Sequence, residues 1–223
     1  MTASYLDIAQ INCDPTAVAE HKQKLLSHLQ ANSKKTDVIW QYFVPELGEG
    51  GSCSLFGQLQ DKPFVLSNLI DATNPENSLA LAKLQSIVNY IVATTKVDWF
   101  GIYQKRLINQ EHELVKLAYF GEPSRATFPL TSQFSAISNN VQVGLSRIGR
   151  IINDIPQYLV QGGEYYTCDP KVQSEACLPI LTETGELLGI IDAEAFSLDF
   201  FDQNTLALLV AACLVITECL PAS

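Results

Sequence analysis

The sequence predicts an α+β fold: a central antiparallel sheet flanked by N- and C-terminal helices. Three observations carry this reading. A helix opens at Asn74-Pro75 with apolar residues at helical spacing, a hairpin of alternating strands turns at Glu183-Thr184-Gly185-Glu186, and the chain closes on an almost wholly apolar helix, LALLVAACLVI. Helices that bracket a set of antiparallel strands, instead of alternating with them, mark α+β architecture.

Each element follows from local chemistry. Asp14-Pro15 is a cap followed by proline at the first helical position, and Val18, Leu25, Leu26 and Leu29 form an apolar stripe, so a helix is expected over 15–31. Residues 37–44 (DVIWQYFV) read as a strand, 45–52 (PELGEGGS) as a loop, and 53–60 and 63–67 as short strands. The helix that starts at Asn74-Pro75 carries Leu81, Leu84, Ile87, Val88, Ile91 and Val92 on its apolar positions. Strands are expected near 97–104, 113–120 and 126–130, then a short helix near 132–141 and a long loop. The hairpin strands span about 175–182 and 187–195. The last helix, about 202–219, is capped by Asp202 or Asp199. A helix apolar almost all round needs cover on two sides, here its own sheet and either the N-terminal segment or a partner subunit. The main boundary falls near 70–75, separating an N-terminal α/β extension (1–72) of unassigned role from a domain over 73–220.

Composition narrows the function. Hydrophobic residues make up 47% of the 223 and charged residues 17%, enough for a packed core and far from a disordered composition. A net charge of −10 argues against a nucleic-acid partner, whose phosphates need clustered Lys and Arg, and against an anionic membrane surface. The start, MTASYLDIAQ, has neither the basic residues nor the apolar stretch of a signal peptide, so the cytoplasm is the expected location. The longest apolar run, 206–216, is about half of what a membrane helix needs. Six cysteines without a CxxC or a Cys/His pair at metal spacing fit neither a disulfide miniprotein nor a zinc site.

Alternation along strands then groups the polar and aromatic side chains. In LGIIDAE, Asp192 and Glu194 share a face, and on the preceding strand Glu175 shares one with Cys177. If the hairpin pairs as its turn suggests, three carboxylates converge on one concavity; as strand-end acids they can equally face water. Trp99, Gly101 and Tyr103 share a face in WFGIY, which leaves a gap between two flat walls that suits a small amphipathic ligand, or serves ordinary core packing. Cys168 stands apart from Cys213 and Cys219, which sit on the apolar last helix. It lies in a polar segment, YYTCDPKVQSE, where access is plausible and Lys171 or Arg125 could favour its thiolate, although a lone loop cysteine is also compatible with an incidental role. Glu175, Asp192 and Glu194 as oxygen ligands could take Mg²⁺ or Ca²⁺, but a tryptophan wall fits an organic ligand better, and no metal is expected.

VDWFGIY, YYTCDPKVQSE, LPILTETGELLGIIDAEA and FDQNTLALL, in this order, resemble GAF domains, and more narrowly the free methionine-(R)-sulfoxide reductase family, over residues 75–220 or so. The resemblance implies a pocket for free methionine sulfoxide or a similar amino acid, with Trp99 and Tyr103 as aromatic walls and Glu175, Asp192 and Glu194 as its carboxylates. It implies Cys168 as catalytic cysteine, no bound cofactor, and an external thiol reductant such as thioredoxin. It also implies a homodimer, since GAF domains often pair through their terminal helices. This chain departs from the family at two positions: Arg125 and Ser135 stand about where members carry further cysteines, and neither can resolve a sulfenic acid. Cys177, Cys53 or an external thiol would have to take that part. A non-catalytic GAF sensor or binding module is the alternative reading.

Overall fold

The computed structural model describes residues 2–48, 54–136, 138–165 and 169–222; the side chains of Ser54 and Phe56 are not described. Cys53 and Cys168 therefore lie outside the described residues.

Among the described residues the largest sheet has six antiparallel strands. They are β5 (Trp99–Ile108), β6 (Glu111–Phe120), β7 (Thr127–Pro129), β8 (Arg150–Ile152), β9 (Ser174–Leu181) and β10 (Leu187–Ala195), in the order β7-β6-β5-β10-β9-β8. The hairpin expected from the sequence is present, and Gly185 adopts φ +84° in its turn, a conformation glycine takes without steric cost. One face of the sheet carries Phe100, Ile102, Ala176, Leu178, Ile180, Ile191 and Ala193 into the main core. Two helices pack there, α3 (Pro75–Thr95) and α7 (Gln203–Ile216). Asn74 caps α3 through its side chain, and Asp202 caps α7. Asp199 instead sits at φ +54°, outside the helix.

The N-terminal residues join this same core. α1 (Thr2–Ala9) and α2 (Pro15–Asn32) contribute Tyr5, Leu6, Val18, Leu25 and Leu29 to it. α2 lies along α7, linked by a 3.0 Å hydrogen bond between His21 Nε2 and Asn204 Oδ1, and the Tyr5 hydroxyl donates to the Pro179 carbonyl on β9 at 2.7 Å. Every residue of α7 from Leu206 to Ile216 is buried within the single chain. The second cover that its all-round apolar surface requires is thus supplied by α2, and α7 leaves no bare face for a partner subunit.

Short elements depart from the sequence expectations. The strand expected over 37–44 is only β1 (Gln41–Tyr42); the expected loop after it contains β2 (Pro45–Leu47), which pairs with β3 (Ser54–Leu59). The strand expected over 63–67 is β4 (Phe64–Val65), running into a 3₁₀ turn over Leu66–Asn68. The single helix near 132–141 is two, α4 (Ser132–Ser135) and α5 (Asn139–Ser146), each restarted by a hydroxyl cap, Thr131 and Ser138. The long loop holds β8 and α6 (Ile155–Val160), and α1 had no counterpart in the sequence reading. Such pieces are too short to be stable by propensity and form because the surrounding structure holds them.

Leu25 has no exposed surface in α2. Leu25→Ala is expected to lower stability by about 2–5 kcal/mol in one cooperative thermal transition; calorimetry resolving a second, unshifted transition would show that α2 folds apart from the sheet.

Candidate functional site

The other face of the sheet carries the polar site. Trp99, Tyr103, Cys177 and Ile190 point there, packed with Phe128, Val141 and Val143. Strand register sets what meets what: Glu194 lies opposite Glu175 on one side and Trp99 on the other, while Asp192 lies opposite Cys177 and Gly101. Since alternate residues share a face, the three carboxylates converge. They line a cavity of about 250 Å³ together with Trp99, Tyr103 and Phe128. The β2–β3 ribbon closes one side of it through Pro45, Gly57 and Leu59.

The aromatic wall is built differently from the gap expected in the sequence. The Trp99 indole leans over Gly101, so a Cβ there would lie 2.3 Å from the ring. Glycine's missing side chain is occupied by the indole itself. Gly121, at φ +109°, allows the same close approach on the other side, and the indole N–H donates to the Glu122 carbonyl at 3.0 Å. Tyr103 stands 6.5 Å from Trp99 between ring centroids, inclined by 33°, and meets Phe128 edge-on.

Burying like charges demands compensation. Asn139 on α5 donates its amide to Glu175, and Asn140 donates to Asp192 Oδ2 at 3.0 Å. The Tyr165 hydroxyl also donates to Glu175. Asp192 Oδ1 is buried without a donor facing it, and it sits beside Glu175. A proton carried by this pair removes the conflict, because one carboxyl then donates to the other. Burial, followed by the charge of Glu175, holds the Asp192 carboxyl well above its usual range. Burial also raises Glu175, against the opposing pull of Tyr165, Asn139 and Arg150. Glu194, part of whose surface stays open to the cavity, is pushed up to about 8 by burial, Glu175 and Asp169, with Lys116 opposing. All three carboxyls are thus shifted toward the protonated form.

No protein-family model matches this chain, and no curated protein matches it. Solved structures do. The type II free methionine-R-sulfoxide reductase from Thermoplasma acidophilum superposes with a TM-score of 0.54 at 20% identity, over 65% of this chain and 97% of that one. A GAF-domain structure superposes at 0.52 with 16% identity, over 100% of this chain and 97% of that one. The chain has a GAF-like fold. The free methionine-R-sulfoxide reductase from Neisseria meningitidis, solved in complex with its substrate, matches at a TM-score of 0.50 and 18% identity, over 63% of this chain and 78% of that one. At these identities the likeness is one of fold.

Within this GAF-like frame, Trp99, Tyr103, Glu175, Asp192 and Glu194 meet at one cavity. Cys177 does not line it: fully buried beneath the wall, its thiol is pushed well up by burial and then by Asp192 and Glu175. The other described cysteines, Cys13, Cys213 and Cys219, are buried as well. Cys168 and Cys53 lie outside the described residues; Asp169, next to Cys168, lines the cavity, and Tyr165 reaches Glu175. Arg125 also lines it, with its guanidinium over Phe134 (4.7 Å) and Phe128 (5.5 Å), whereas Ser135 is half-buried, does not line the cavity and donates to the Ser132 carbonyl. Sequence reasoning missed Asn139 and Asn140, which come from a helix 36 and 52 residues away from the acids they hold. It also missed Lys116, although a lone lysine inside the apolar run LVKLAYF was a usable signal.

A carboxyl raised on folding favours the fold most below its unfolded value, near 4.5, and that contribution is lost as pH rises through about 8. Glu194→Gln should thus match the parent in thermal stability at pH 5 and exceed it at pH 9, by about 1–2 kcal/mol, as read by paired denaturation curves. Gly101→Ala must displace the indole; ligand affinity measured by calorimetry should fall about tenfold or more, and unchanged affinity would show that the indole is not a working wall.

Proposed function

We propose that the protein binds a small amino-acid-like molecule in this cavity and, through Cys168, reduces free L-methionine-(R)-sulfoxide. One observation carries the reading: three buried carboxyls, each shifted upward, and an aromatic wall share a cavity of about 250 Å³. The fold likeness to two free methionine-R-sulfoxide reductases supports it, as do the residues flanking Cys168, which touch the same site.

The Cys168 sulfur attacks the sulfoxide sulfur while the carboxyl cluster protonates the sulfoxide oxygen. The S–O bond breaks as the S–S bond to Cys168 forms; the released hydroxide then attacks the Cys168 sulfur, the S–S bond breaks, methionine leaves, and Cys168 holds the oxygen as a sulfenic acid. An external thiol condenses with it, releasing water and forming a mixed disulfide; a second thiol displaces Cys168 and leaves as a disulfide with the first. An acid that has given up its proton regains one from solvent. The remaining negative charge attracts the substrate ammonium, and the aromatic rings accept its thioether chain. Cys177 is a poor resolving thiol because it is dry, off the cavity and hard to ionise. External reduction, by a thioredoxin-type dithiol, suits this chain best.

The burial of every described cysteine also favours a second reading, a GAF-type binding module that holds the ligand without turning it over. One assay separates the two. With dithiothreitol as reductant, the parent should convert free L-methionine-(R)-sulfoxide to methionine, and Cys168→Ser should lose at least about a thousandfold of that rate. Absence of turnover in the parent ends the reductase reading; saturable binding in that same sample selects the module.

A further inference from the structure

The β5–β6 pairing contains one irregularity, and it turns a lysine toward the site. Ile102 faces Ala118, but Tyr103 faces Lys116, which leaves Leu117 as an extra residue on β6. In a regular strand Lys116 would share the face of Ala118, packed in the main core. The bulge reverses it onto the face of Tyr103. Bulges commonly re-aim a side chain beside a functional site.

Lys116 has no exposed surface, and burying an ammonium costs several kcal/mol, roughly, unless it is well held. Its Nζ donates to the Ser124 carbonyl at 2.8 Å and to the Ser124 hydroxyl at 2.7 Å. Among the described residues, the rings of Tyr119 at 4.1 Å, Tyr42 at 4.8 Å and Trp99 at 5.9 Å from their centroids lie around it. Trp99 and Ser124 line the cavity and Lys116 does not, so the ammonium stands behind the wall, out of the ligand's space. Tyr42 comes from the N-terminal segment, and its hydroxyl donates to the Lys116 backbone carbonyl at 2.8 Å. The segment thereby fixes the strand and walls the cation in one contact.

We propose that Lys116 is a positioning residue of the site, the buried countercharge to Glu194, and that Tyr42 of the N-terminal segment keeps it in place. Glu194 shows the balance. Glu175 from β9 and Asp169 from the loop before it push its carboxyl up, and Lys116 from β6 draws it back. Asp192 on its own strand, Asp98 and Glu122 beside the indole, Arg125 after β6 and Tyr103 on β5 share the cavity. The proposal rests on this cavity being the functional site, and not on the ligand being methionine sulfoxide.

The test is a carbon-13 carboxyl titration of Glu194 by NMR in the full chain without ligand. Lys116→Met should move the Glu194 midpoint upward by about one pH unit, and Lys116→Arg should return most of the way to the parent. Tyr42→Leu, which keeps the charge but opens its cage to water, should move it the same way by less. An unmoved midpoint in folded Lys116→Met overturns the proposal; if that variant does not fold, an unmoved midpoint in Tyr42→Leu does so. Because the readout needs no substrate, it stays separate from the turnover assay that decides the reductase reading.

Discussion

Glu194 and Glu175 face each other across the β9–β10 ladder, with Asp192 one alternate position along on the same face. Antiparallel register and a side-chain period of two leave them no other arrangement. Three carboxylates packed this closely against aromatic rings cannot all be ionised without a large desolvation and repulsion cost. Much of the local architecture serves to meet that cost. α5 lends two asparagine amides, Tyr165 lends a hydroxyl, the Glu175–Asp192 pair holds a proton, and Lys116 stands behind the wall with a positive charge.

The chemistry proposed for the cavity uses the same tension. Acids that stay protonated near neutral pH can deliver a proton to a departing oxygen, which solvent-exposed carboxylates do poorly. The aromatic wall contributes shape as well as apolar surface. Its geometry depends on Gly101 and Gly121, whose lack of side chains lets the indole approach the backbone closely. A site of this kind trades stability for function, since relieving the repulsion would strengthen the fold and remove the proton donors.

Support for the sheet comes from two directions. α3 and α7 fill its apolar face, and α1 and α2 close over α7, so the N-terminal residues belong to the core of the GAF-like fold. On the opposite face the same N-terminal stretch supplies the β2–β3 ribbon at the cavity and Tyr42 at Lys116. One segment thus stabilises the helical layer and shapes the site.

The sequence by itself determined the elements with strong periodicity: the helices opened by Asp14-Pro15 and Asn74-Pro75, the apolar last helix, and the hairpin turning at Gly185, while the structure chose Asp202 over Asp199 as the last helix's cap. It also determined that Trp99 shares a face with Tyr103, and Asp192 with Glu194, because alternation within one strand is a local property. Only the tertiary structure decided that these faces meet over a cavity, that Trp99 fills the space above Gly101, and that Cys177 lies beneath the wall instead of on it. Asn139 and Asn140 reach the acids through a helix set down by packing, and Lys116 reaches the site through a bulge that breaks the alternation from which its face would be read. Local periodicity orients residues along one element; which elements meet, and where a strand slips by one residue, depends on contacts between segments far apart in the chain.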